Sequence, residues 1–496
     1  MASREPVSLR CLSAMDTPRT LLQALHDQAH RLEHRPALWS RLGRTYVPTS
    51  WRDLALRVKR LALGLQALGF RPGDTLPILS SSREEAWVAC LAAMALGGVP
   101  VSLAPHWSVE QVASRVEHCQ ARCCVVEDAA RLVTGLAVRT RVPRVRHLVV
   151  LDPPEASLPE AVRGYADLQA LGASTPDAPY WEAVNALRPE ALATLVSLSS
   201  PADAPRAVML SHRNLVWTAE RLARATHAHL AGEDEVVLAH QPLSHLAGQL
   251  FGLSVPLLVG GQVYFARSPE SLARDLRDVR PTLFFGEPRV WTAFKERIEA
   301  AVEGQTPGQR RALDWARKAT AERNALVLAH ERAPLLLESQ YQLARRTVFP
   351  PLVEELGFGR ARFLATGGAP VRREVLDFFA SLDLVPREIH GRAEGGGPLA
   401  LNTLEATRLG SQGRPLMGVE ARIAGDGELL VRGGGVCLGY YREPAATARL
   451  LADGWLHTGD VGALDAEGFV HLTGRTREGL ESAETREPRA PRARGA

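Results

Sequence analysis

The stretch Gly454 to Glu478, GWLHTGDVGALDAEGFVHLTGRTRE, packs short apolar runs between Gly and Asp turns. Together with GELLVRGG at 427–434 it reads as short strands at turn spacing, as in a small β-barrel. Asp460 follows Gly459. Read alone, it fits a turn aspartate as well as a ligand-binding one. Beyond residue 478 the chain is GLESAETREPRAPRARGA from Gly479, almost without apolar side chains, and is expected to be disordered.

Upstream of the barrel the pattern changes. RDLALRVKRLALGLQALGF (52–70) is an amphipathic helix ending at Gly69, and DTLPILS (74–80) is a strand. A helix over 84–96, the strand VPVSL (99–103), a helix from Val109 to Cys119 and the strand CCVVED (123–128) follow. Such alternation predicts parallel sheets covered by helices. A second α/β run starts at Leu192, with strands in ALATLVSL (191–198), VVLAHQPLSH (236–245), GGQVYFA (260–266) and TLFFGEP (282–288). Residues 143–189, rich in Pro and Ala with short strands such as HLVVLD, read as connecting material, and 290–357 as charged helix. Strands return at RARFLATGG (360–368) and VPREIHG (385–391). The expected fold class is therefore α/β. Its parts are residues 1–190, 191–410, a barrel-like part 411–474 and a tail 475–496.

With 496 residues the chain exceeds what one core can fill, and packed subdomains follow. The net charge of +4, without a basic patch interleaved with aromatics, excludes a nucleic-acid role. The N-terminal segment lacks the apolar run of a signal peptide. Two uncharged stretches, Trp87 to Pro105 and Leu246 to Ala266, approach membrane-spanning length, but each is broken by Gly-Gly and contains Pro. A buried helix turning into a buried strand gives the same hydropathy. No transmembrane segment is expected, and peripheral membrane contact stays open. Six cysteines at irregular spacing suit a reducing cytoplasm. Cys119, Cys123 and Cys124 beside His118 read as buried thiols rather than metal ligands, since no CxxC pair completes a site.

Gly454 to Glu478 resembles the ribose-binding and hinge segments of the adenylate-forming superfamily, which includes acyl-CoA synthetases, luciferases and peptide-synthetase adenylation domains. GELLVRGGGVCLGYYREPAATARLL (427–451), ATGGAP (365–370), VMLSHRNLVWTAE (208–220) and QPLSHLAGQ (241–249) agree with it. GEPRVWTAFKERIEA (286–300), ALDWARKAT (312–320) and APVRREVLDFFASLDL (369–384) are most similar to the bubblegum-type long-chain acyl-CoA synthetases.

The resemblance implies the large N-terminal domain of that fold and a two-step reaction. A carboxylate attacks the α-phosphate of ATP, and coenzyme A then takes the acyl group. It implies a long-chain fatty acid or other carboxylic acid as substrate, with ATP/AMP, Mg²⁺ and coenzyme A. By position, Asp460 and Arg475 would hold the ribose, and Gly367, Gly368 and Ala369 would lie along adenine. His390 would stand where an aromatic ring stacks on the base, and Glu394 would be the catalytic carboxylate and Mg²⁺ ligand. Ser199 belongs to the phosphate loop, Arg206 replaces that loop's catalytic lysine, and His245 would border the acyl pocket.

Three departures accompany the likeness. The loop pattern [ST]-S-G-T-T-G-x-P-K-G falls on Leu198 to Ala207, LSSPADAPRA, where all three glycines and both threonines are gone. Glycines let backbone N–H groups approach phosphate, Pro201 removes one donor, and Asp203 puts a negative charge beside the triphosphate. Second, HGRAEGGG (390–397) has His390 and Ala393 where the family has Tyr and Thr. Third, the family continues into a small domain carrying a catalytic lysine, whereas no lysine follows Lys318 here. These departures lead to an expectation of an impaired or inactive ligase. A non-catalytic pseudoenzyme binding lipid, adenylate or a protein partner is the alternative, and a frameshifted tail would account for the third departure only.

Overall fold

The computed structural model describes residues 20–198, 204–329 and 331–476. The proposed loop residue Ser199, with Ser200 to Asp203, lies outside them, as do the N-terminal segment and the tail from residue 477.

Three sheets organise the described chain. One has eight strands in the order Gly439–Tyr440, Ala207–Ser211, Leu192–Ser197, Val99–Leu103, Thr75–Leu79, Cys123–Val126, His147–Val150 and Val162–Gly164. It is parallel from Leu192–Ser197 onward and antiparallel at its first edge. Its central strands are buried along their whole length, as expected of a sheet covered on both faces.

The second sheet has nine strands. Its order is Arg414–Pro415, Gly397–Leu401, Pro386–Arg392, Phe363–Gly367, Leu283–Gly286, Val236–Ala239, Gln262–Phe265, Pro36–Leu42 and Thr45–Ser50. The hairpin of its far edge comes from the beginning of the chain, so sheet membership interleaves along the sequence. Four antiparallel strands, Glu420–Ile423, Glu428–Arg432, Leu456–Leu464 and Val470–Arg475, form the third sheet.

Helix Glu84–Ala95 is apolar on every side because both large sheets cover it. It packs on Thr75–Leu79, while Trp87 meets Phe265 edge-on at 5.0 Å. Gly97, at φ +69°, turns it into Val99–Leu103, as the Gly-Gly signal predicts. The second uncharged stretch resolves likewise into a π-helix Gly248–Ser254, a helix Val255–Val259, Gly260 at φ +82° and the strand Gln262–Phe265. Among the described residues no helix is long and apolar enough to cross a membrane. Residues 143–189 hold more than connections: strands His147–Val150 and Val162–Gly164 extend the eight-stranded sheet, and helices Tyr165–Ala173 and Ala178–Ala186 follow. The helix Tyr165–Ala173 packs so closely on Trp51–Ala67 that a Cβ on Gly172 would stand 1.8 Å from the Arg60 carbonyl oxygen.

Candidate adenylate site at the meeting of three sheets

Each sheet sends one edge to a common cleft. The four-stranded sheet brings Asp460 and Arg475 opposite each other in register. Gly459, at φ +69°, kinks the strand there, and its N–H donates to Glu428 Oε1 at 2.6 Å. Arg475 Nε then reaches Asp460 Oδ1 at 3.2 Å.

The nine-stranded sheet contributes the end of Pro386–Arg392. Parallel pairing of Gly367 with Ile389 sets the exposed turn Gly368–Ala369 beside His390, at the carboxyl ends of the strands where open α/β sheets bind ligands. Gly367 has no room for a side chain, since a Cβ would stand 2.5 Å from the Ile389 carbonyl oxygen, and Gly368 turns at φ +84°. After Arg392 the chain reverses through Glu394 and the glycine run, with Gly396 and Gly397 at φ +71° and +126°. Both are conformations that side chains disfavour.

The eight-stranded sheet contributes its antiparallel edge. Ser211 caps the helix His212–Ala225, and Asn214 in its first turn donates to the Gly434 and Val436 carbonyls at 2.8 and 2.9 Å. That clamp holds Gly439–Tyr440 against Ala207–Ser211 and delivers Tyr440 to the cleft.

Within the cleft, Asp460 is buried. Burial disfavours its charge, yet His390, Arg392 and Arg475 together hold its carboxyl below the usual aspartate range. His390 Nε2 lies 3.1 Å from Asp460 Oδ2 but out of line for a hydrogen bond, so that this buried oxygen has no aligned donor among the described residues. Arg392, also buried, stands between the two carboxylates, with Nε 3.5 Å from Glu394 Oε2 and Nη1 3.6 Å from Asp460 Oδ1. Nη1 also donates to the Thr458 carbonyl. Burial works against its charge, but Glu394 and Asp460 outweigh it and the guanidinium stays protonated. The other oxygen of Glu394 accepts the Tyr440 hydroxyl at 2.9 Å. Arg206 lies 4.8 Å above the Tyr440 ring and pairs with Glu443 at 3.1 Å, so its charge already has a carboxylate partner.

His245 is exposed at the start of the turn leading into the π-helix, where Glu287, Arg289 and His106 bear on its charge. An apolar cleft near it is lined by His240, Gly248, Phe251, Gly252 and Phe285, with the two Phe rings stacked at 5.1 Å. A π-turn at such a place is a frequent mark of a functional wall.

The structure thus brings together Asp460, Arg475, His390, Glu394 and the Gly367–Ala369 turn, with Arg206 one side chain away. Sequence reasoning passed over Arg392, Tyr440 and Glu443. Tyr440 and Glu443 lie in a segment that carries the family likeness, and Arg392 lies in HGRAEGGG, a segment that departs from it.

The model of the AMP-binding enzyme family matches residues 25–441, and the chain belongs to that family. It is 29% identical over 471 residues to the long-chain-fatty-acid–CoA ligase ACSBG2 of Xenopus laevis, covering 93% of this chain and 63% of that one. The long-chain-fatty-acid–CoA ligase heimdall of Drosophila melanogaster is 31% identical, with 93% of this chain and 70% of that protein covered. The chain therefore spans a little under two thirds of the Xenopus relative's length. Among solved structures, ATP-bound MatB from Rhodopseudomonas palustris superposes with a TM-score of 0.68 at 23% identity, over 92% of this chain and 78% of that one. The N-terminal domain of FACL13 from Mycobacterium tuberculosis gives 0.67 at 17% identity, over 92% of this chain and all of that domain. These two likenesses establish the fold.

Proposed function

We propose that the cleft is an adenylate site and that the chain is a long-chain fatty acid–CoA ligase-like protein whose adenylation step is impaired or lost. The observation that carries this reading is the pairing of Asp460 with Arg475 around a buried carboxylate oxygen that has no aligned donor. A ribose hydroxyl supplies such a donor, and the Gly367–Ala369 turn beside His390 offers a backbone edge for the base. The apolar cleft beneath the π-helix suits an acyl chain. The names of the relatives support a fatty acid and coenzyme A as reactants, and the family resemblance implies ATP.

Impairment is supported by charge. Adenylation needs cations and N–H donors aimed at the phosphates, because negative charge moves onto pyrophosphate in the transition state. Here Arg206 is matched by Glu443 and the loop sequence has lost its glycines. A second reading, a binding protein without catalysis, is favoured by Arg392, which fills the space between the two site carboxylates. Both readings predict that a non-hydrolysable palmitoyl-adenylate analogue binds. Calorimetry tests this: Asp460→Ala should weaken binding by about tenfold or more, the worth of a hydrogen bond to a charged group. No binding by the unaltered chain, or equal binding by the variant, contradicts the reading.

A further inference from the structure

The family resemblance implies a magnesium ion at Glu394, and the residues present do not suit one. A divalent cation needs several oxygen ligands and keeps its distance from other positive charges. One Glu394 oxygen is tied to the Tyr440 hydroxyl at 2.9 Å, and the other faces the Arg392 guanidinium at 3.5 Å.

We propose that Arg392 is a built-in counter-ion that takes the place of the metal, so that this chain binds a nucleoside monophosphate or its acyl ester without a divalent cation. The proposal rests on the adenylate reading above and adds the ligand's charge state to it. The two carboxylates of the cleft, Glu394 and Asp460, face two guanidiniums, Arg392 and Arg475, and the four charges cancel. Adding Mg²⁺ would leave an excess of two positive charges within contact distance of Arg392, in a buried setting where repulsion is poorly screened. A monophosphate needs no metal, and its ribose can still meet Asp460.

Arg392 is held on three sides, by Glu394, Asp460 and the Thr458 carbonyl, and is buried, so it cannot swing into solvent to admit an ion without breaking all three contacts. Its role is positional: it keeps Glu394 and Asp460 at a set spacing and neutral overall.

The test is AMP binding by calorimetry with the full chain, in excess MgCl₂ and in excess EDTA. The proposal expects affinities within about twofold of each other. In Arg392→Gln the two carboxylates lose their counter-ion, so AMP should bind at least about tenfold more weakly in EDTA than in MgCl₂. Arg392→Lys keeps the charge and should remain indifferent to the metal. AMP binding by the unaltered chain that is about tenfold tighter with Mg²⁺ overturns the proposal while leaving the adenylate reading intact. Absence of AMP binding in both buffers overturns the two together. Because the unaltered chain decides between these outcomes, a variant that fails to fold does not block the test.

Discussion

The Tyr440 hydroxyl donates to Glu394 Oε1 at 2.9 Å, joining the antiparallel edge of the eight-stranded sheet to the turn that ends the strand Pro386–Arg392. Burial and the neighbouring Glu394 charge both push the Tyr440 hydroxyl's pKa up, so it remains a donor throughout the working pH range. Tyr440→Phe keeps the ring under Arg206 and removes only this bond. Loss of a bond to a charged acceptor should cost ~1.5–3 kcal/mol in urea unfolding. A variant as stable as the original would show that Glu394 is satisfied without Tyr440.

Glu388 sets a pH dependence. Burial is the main cause of its rise from 4.5 to about 7, against the Gly410 N–H and Arg373, which favour the charged form. With the folded-state pKa raised, the stabilisation is complete below pH ~4.5 and disappears as pH rises through about 7. Relative to Glu388→Gln, the unaltered chain should therefore lose ~3 kcal/mol between these limits, the linkage value of such a shift. Parallel stability curves for the two proteins would remove Glu388 as the source.

The turn beside His390 depends on Gly367. Gly367→Ala would press a methyl group to 2.5 Å from the Ile389 carbonyl oxygen, and neither strand can yield without disturbing its parallel ladder. We expect a loss of ~1–3 kcal/mol, the usual penalty of overpacking, with weaker adenylate-analogue binding on top of it. Normal binding by a destabilised variant would separate this turn from the ligand.

Much of this architecture was legible locally, because buried parallel strands are short apolar runs and the turns that join them need glycine at positive φ. Gly97 and Gly260 show this, whereas Asp460 and Arg475 were singled out by the family resemblance alone. What was not legible depends on long-range packing. Pro36–Leu42 pairs with Gln262–Phe265, and nothing in PALWSRL names that partner. Arg392 looks like any arginine at a strand end until the four-stranded sheet brings Asp460 against it.

The cysteines give a test of the core. Burial raises the thiol pKa of Cys90, Cys123 and Cys437 to about 12 and of Cys119 to about 11, and pushes Cys124 well up too. Thiolate, the reactive form, is therefore scarce at all five. A disulfide reagent at pH 8 should leave these five unmodified in the native chain and label them after unfolding in guanidinium. Rapid native labelling at Cys119, Cys123 or Cys124 would contradict the packing of these cysteines inside the eight-stranded sheet and its covering helices.

We propose that this ligase-like fold carries a site impaired for adenylation. The most direct test is fatty-acid-dependent release of pyrophosphate from Mg²⁺-ATP, measured over a range of acyl chain lengths. Impaired chemistry predicts release below ~0.01 s⁻¹ with every acid, against the ~10 s⁻¹ of an ordinary enzyme. Release near ~10 s⁻¹ that disappears in Asp460→Ala would contradict it and make this chain a working ligase.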